Sequence, residues 1–75
     1  MTYLEFSKLI KEIRIKKGLT QKEMAYLIPI NTITYNRVEN GTQEANFYTL
    51  KRISEILNID LNIIKIDTIH ESNYD

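Results

Sequence analysis

Thr20-Gln21-Lys22-Glu23-Met24-Ala25, followed closely by Asn31-Thr32-Ile33-Thr34-Tyr35-Asn36-Arg37-Val38-Glu39-Asn40-Gly41, is the stretch that decides the fold. Thr20 and Glu23 stand in capping-box register: each side chain can accept a hydrogen bond from the other residue's backbone N–H. This predicts a short helix through Met24, Ala25 and Leu27. Pro29 should end it, because the residue before a proline is pushed away from helical angles. Asn31 is a good N-cap for a further helix over about 32–39, closed by Asn40-Gly41. Two short helices joined tightly, the second with its own cap, predict a helix-turn-helix. Ala25 lies one turn after Gln21, where a small side chain lets two helices cross closely. Ile30 falls in the joint, and Tyr35 and Val38 are spaced to point inward from the second helix.

The flanks extend this pattern. Thr2 and Glu5 form another capping box, and Phe6, Leu9, Ile10 and Ile13 recur at helical spacing to make one apolar stripe. Gly18 ends that helix, since glycine accepts the left-handed conformation beyond a helix C-terminus. After Gly41 a polar joint, Thr42 to Asn46, leads to a helix with Phe47, Leu50, Ile53 and Leu57 on one face. Asp60 can cap a last short helix bearing Leu61 and Ile64, and Ile66 to Asp75 either extends it or forms an arm. The expected fold is all-α, a compact five-helix bundle containing a helix-turn-helix. Residues 1–65 form the domain, and residues 66–75 form a tail that packs back, makes a dimer contact or stays disordered.

Composition narrows the functions open to such a bundle. Seventy-five residues build one small domain, with little room for a deep catalytic pocket. The chain has no cysteine, which removes disulfides, thiolate zinc sites and thiol nucleophiles. Its single histidine, His70, and the scattered Ser7, Ser54 and Ser72 offer no nucleophile–base pair, so no enzyme is expected. Asp67, His70, Glu71 and Asp75 gather in the tail, where such clusters are usually solvated; no metal and no cofactor are expected. No apolar run reaches membrane-spanning length and no signal peptide is evident, so the expected location is the cytoplasm.

The net charge is zero but its distribution is not even. Residues 1–37 carry seven basic and three acidic side chains, a net of +4, and residues 38–75 carry three basic and seven acidic ones, a net of −4. A polyanion would be drawn to the first half; the alternative is ordinary solvated surface.

The ordered set of motifs resembles the lambda-repressor-like, or XRE (Cro-type), family of bacterial and phage DNA-binding domains. Gly18-Leu19-Thr20-Gln21-Lys22-Glu23-Met24-Ala25 looks like that family's signature at the first helix of the pair, and Arg37-Val38-Glu39-Asn40-Gly41 like its ending. Thr49 to Ile59, with Leu61 after it, fits the next helix, so the resemblance covers about residues 6–65. Three positions depart from the family pattern: Pro29 replaces a usual glycine, Tyr35 a usual isoleucine or valine, and Ala45 a usual proline. At Pro29 the chain is similar instead to peptide-responsive regulators of the Rgg type.

The resemblance implies sequence-specific binding to double-stranded DNA and a role as a transcriptional regulator, most simply a repressor. Thr32, Ile33, Asn36 and Arg37 match positions that reach bases or the adjoining backbone. Arg37 could pair with guanine or meet a phosphate, Asn36 could bond adenine, and Thr32 and Ile33 could touch thymine methyls. The alternative for Ile33 is a core or stray surface residue. Gln21 matches a glutamine that binds phosphate and braces the recognition helix, and Lys22, Asn31, Asn40 and Thr42 are further phosphate candidates. Arg14 and Glu39 match a partly buried ion pair, a structural role. One such domain reads few base pairs, so a homodimer is expected, in solution or only on DNA, with Ile63, Ile64, Ile66 and Ile69 as its contact. The rival readings are an antitoxin-like or other protein-interaction module, with the acidic half facing a protein partner, or the DNA-binding part of a longer peptide-responsive regulator. The abundance of isoleucine, lysine and asparagine points to an AT-rich bacterial or phage genome.

Overall fold

Capping side chains set the start of every helix among the described residues. In the computed structural model, which describes residues 1–61, α1 spans Tyr3–Lys16, α2 Gln21–Leu27, α3 Thr32–Asn40 and α4 Phe47–Leu57. Both capping boxes close: Thr2 Oγ1 accepts from Glu5 N–H at 3.1 Å and Thr20 Oγ1 from Glu23 N–H at 3.0 Å, with each glutamate returning a bond to the cap backbone. Asn31 Oδ1 accepts from Ile33 N–H at 2.8 Å and Asn46 Oδ1 from Thr49 N–H at 2.9 Å. Such a cap contributes about 1 kcal/mol by pairing an amide that the helix leaves without a partner. The described residues therefore contain four helices. The expected fifth helix, apart from Asp60 and Leu61, and the whole of the tail lie outside them.

Two helix ends differ from the sequence reading. Ile28 keeps right-handed helical angles, φ −63° and ψ −47°, and donates its N–H to Met24 O at 3.0 Å. Helical conformation thus runs up to the proline. Pro29 has no N–H, and Ile30 N–H bonds the carbonyl of Ala25 at 2.8 Å in the frame of the turn. The Ile28–Pro29 peptide is cis. The second difference is Phe47, which is 74% exposed instead of extending the apolar face of α4. It is the first residue of that helix and stays outside the core, whereas Tyr3 and Ala45 pack against that core, the Ala45 N–H donating to the Tyr3 hydroxyl.

One core joins all four helices: Phe6 and Ile10 from α1, Met24 and Ala25 from α2, Tyr35 and Val38 from α3, and Leu50, Ile53 and Leu57 from α4, with Ile28 from the turn. α3 lies against both α1 and α2, so its inner face is fixed by two neighbours. Ser7 is a buried polar member: its hydroxyl sits 2.9 Å from Val38 O and 3.0 Å from Tyr3 O, and ties α1 to α3.

Gly41 ends α3 in the left-handed conformation, φ +78°, and lets Thr42 N–H and Gln43 N–H fold back onto Arg37 O at 3.0 and 3.3 Å. A Cβ there would also come 2.7 Å from Leu4 Cδ1. Leu4 is half exposed and its side-chain end can swing away, so the backbone angle is the larger obstacle. Gly41→Ala is expected to cost about 1–2 kcal/mol, and adding Leu4→Ala should restore little of it; urea denaturation of the two variants measures both.

Candidate nucleic-acid interface

Helix α3 presents two contrasting faces. Tyr35, Val38 and Glu39 are buried, while Thr32, Ile33, Arg37 and Asn40 are exposed and Asn36 lies between. Ile33 is 63% exposed. An isoleucine held in water on an otherwise polar helix face leaves apolar area that a partner surface could cover. Arg37, one turn further along, is the basic residue of the last turn. The helix thus offers a polar, single-width rod with one apolar contact and one guanidinium, dimensions and chemistry that suit the DNA major groove.

What orients this rod is a buried ion pair. Arg14, from α1, gives two parallel bonds to Glu39 of α3: Nε to Oε2 at 2.8 Å and Nη2 to Oε1 at 2.8 Å. Its Nη1 donates to Leu19 O at 2.7 Å, in the link before α2. The side chains are 11% and 0% exposed. Burial alone would raise the Glu39 pKa, but the hydrogen bonds and charge supplied chiefly by Arg14 hold it below the ordinary carboxylate value. The same pairing raises that of Arg14. Tyr35 packs beside them; burial first, and then the neighbouring carboxylate, push its ionisation far upward, so it stays neutral. Its hydroxyl is near both charges, yet no donor–acceptor geometry there completes a hydrogen bond.

The polar contacts continue outward from Glu39. Gln21 Nε2 donates to Glu39 Oε1 at 3.1 Å, Asn36 Nδ2 donates to Gln21 Oε1 at 3.1 Å, and Asn40 Nδ2 donates to Asn36 Oδ1 at 3.1 Å. Gln21, Asn36 and Asn40, separate candidates in the sequence, are therefore one connected row along α2 and α3. The remaining candidates are arranged differently. Lys22 is exposed on the first turn of α2. Asn31 spends its side-chain oxygen as the α3 cap. The Thr42 hydroxyl donates to Arg37 O at 3.2 Å, closing the end of α3. The isoleucines of the expected dimer contact lie outside the described residues. The sequence reading did not find Ser7, nor Arg52, whose Nε donates to Leu27 O at 3.2 Å and ties α4 to the end of α2. The contacts that join two helices, Ser7 to Val38 and Arg52 to Leu27, leave no local signal, since those partners are distant in the chain.

Residues 10–64 match the helix-turn-helix family. The chain belongs to that family. It is 37% identical over 70 residues to the ImmF control region 10 kDa protein of Bacillus phage phi105, covering 89% of this chain and 78% of that one. It is 34% identical over 67 residues to an uncharacterized helix-turn-helix-type transcriptional regulator of Bacillus subtilis, YqaF, covering 89% and 88%. It is 29% identical over 70 residues to the cryptic phage CTXphi transcriptional repressor RstR of Vibrio cholerae, covering 93% and 61%. Membership and relatives agree with the lambda-repressor-like resemblance of the sequence, and the function is DNA binding in transcription regulation. No helix among the described residues is long and apolar enough to cross a membrane.

Breaking a buried ion pair from one side strands the other charge, at about 3–5 kcal/mol. Glu39→Ala should therefore lose its melting transition at temperatures where the parent is folded, before any loss specific to DNA. The pair also sets an acid limit. A Glu39 pKa lowered by folding means the unfolded chain binds more protons near that range, so stability rises with pH there. Stability is expected to be level above the ordinary glutamate value of 4.5 and to fall as pH drops below it. Glu5 and Glu23 shift in the same direction, each through the backbone bond it accepts at its helix cap. Urea midpoints measured from pH 7 to pH 3 test the direction.

Proposed function

We propose that this protein is a non-enzymatic cytoplasmic repressor that binds a two-fold DNA operator as a homodimer and reads the major groove with α3. The single observation that carries the reading is the exposed face of α3, where Ile33 and Arg37 stand clear of the fold while Arg14 and Glu39 lock the opposite face to α1. Thr32, Ile33 and Arg37 meet base edges. Thr32 and Ile33 suit thymine methyls, and Arg37 suits the two acceptors of guanine. Lys22 and the amide row from Gln21 to Asn40 face the phosphates, with Asn31 and Thr42 at the two ends of α3 contributing where their side chains are not already spent on caps. The relative named as a transcriptional repressor supports the sign of regulation.

The phosphate contacts make binding salt-dependent, with a slope of about −0.9 per neutralised phosphate in log K against log salt. Two-fold pairing sets two half-sites about 34 Å apart, one helical turn of DNA. Selection from a random duplex pool should return a near-palindrome of that spacing, and a one-to-one complex at saturating protein would exclude the dimer. On the selected site, Arg37→Ala should relax preference at one base pair per half-site by about 1–3 kcal/mol. Lys22→Ala should weaken all duplexes alike and reduce the salt slope by about 1 per protomer. A titration series at several salt concentrations separates the two.

A further inference from the structure

We propose that Asn36 is a positioning residue, not a base reader, and that the buried Glu39 carboxylate orients a row of three amides through it. The argument begins with what each group can do. An ionised carboxylate only accepts hydrogen bonds, so the end of the Gln21 amide facing Glu39 must be its nitrogen. The Gln21 oxygen is then turned toward Asn36, which must answer with its own nitrogen. The Asn36 oxygen is in turn left facing Asn40, which answers with nitrogen once more. One charge fixed by Arg14 thus decides the polarity of all three side chains.

Both functional atoms of Asn36 are engaged by this row, and the residue is partly buried. Bidentate reading of adenine needs the same oxygen and nitrogen at once, so it would have to share both with the internal bonds, in the orientation that Gln21 and Asn40 already impose. An amide nitrogen carries two hydrogens, and the row uses one from each residue. A second N–H remains on Gln21, Asn36 and Asn40, and phosphate oxygens accept such donors. Asn36 acts by holding the amides on either side of it in the orientation that keeps those donors in place. The proposal rests on the DNA-binding reading only where affinity is measured.

The test uses the full chain and has an arm without DNA. Asn36→Ala and Asn36→Asp are made beside Gln21→Ala, and melting curves establish that each is folded. In the free protein, the side-chain amide signals of Gln21 are followed by nuclear magnetic resonance. Asn36→Ala should move them toward those of a freely rotating amide. Asn36→Asp keeps the acceptor for Asn40 but turns an oxygen against the Gln21 oxygen, and should move them further. Unchanged Gln21 signals in both variants would overturn the proposal, whatever the protein binds.

On DNA, Asn36→Ala should lose roughly three- to tenfold in affinity. The loss should be equal on the selected operator and on every single base-pair substitution of it, with the salt slope unchanged because no charge is removed. Gln21→Ala combined with Asn36→Ala should lose less than the sum of the two single losses, since part of the effect of Asn36 acts through Gln21. Loss of preference at one base pair in Asn36→Ala, or strictly additive losses in the double variant, would overturn the positioning role. If the parent protein selects no duplex, the DNA-binding reading fails, and the amide signals still decide the polarity claim.

Discussion

A carboxylate with none of its side-chain surface in water must be satisfied from within, and Glu39 imposes that demand on three parts of the chain. α1 answers with the Arg14 guanidinium, whose fork matches both oxygens. The link before α2 is drawn in because Arg14 also donates to Leu19 O. α2 itself supplies Gln21. A buried ion pair of this kind need not add net stability compared with an apolar substitute, because desolvating both charges is costly. Its consequence is geometric. Few arrangements of α1, α2 and α3 satisfy the carboxylate and all its donors at once, so the angle at which α3 is presented is tightly limited.

That limit explains how such a small protein can have a stiff inner face and an open outer one. Tyr35 and Val38 fill the space between α1 and α2, and Ser7 ties the end of α3 back to α1. The opposite face is left to Thr32, Ile33, Arg37 and Asn40, which support nothing in the core. Recognition by a preformed rod of this sort avoids much of the ordering cost that a flexible segment would meet on binding. The connected amides occupy the border between the two faces.

Tyr35 shows how the fold takes up a large aromatic residue on the inner face of α3. The ring fills the core between the helices, and the hydroxyl is carried to the buried charges of Arg14 and Glu39. The turn at Pro29 is comparable. The proline removes a backbone donor, and Ile30 supplies the bond that closes the turn onto Ala25. In both cases the neighbourhood adapts around an unusual residue without disturbing the helix pair.

Local signals were legible from the residues alone. Thr2, Thr20 and Asn31 announce helix starts because a cap and its amide lie within three residues of one another. Gly18 and Gly41 announce ends because few other residues accept a positive φ. The periodic apolar positions, together with the family resemblance, then fix the helix-turn-helix. Tertiary structure decided what depends on distant partners. Phe47 has the spacing of a core residue, but the core stops short of it. Asn36 donates to Gln21, fifteen residues earlier, a contact that no local pattern announces. Periodicity states which way a side chain leaves its helix; it cannot state which neighbour from another helix will be waiting there.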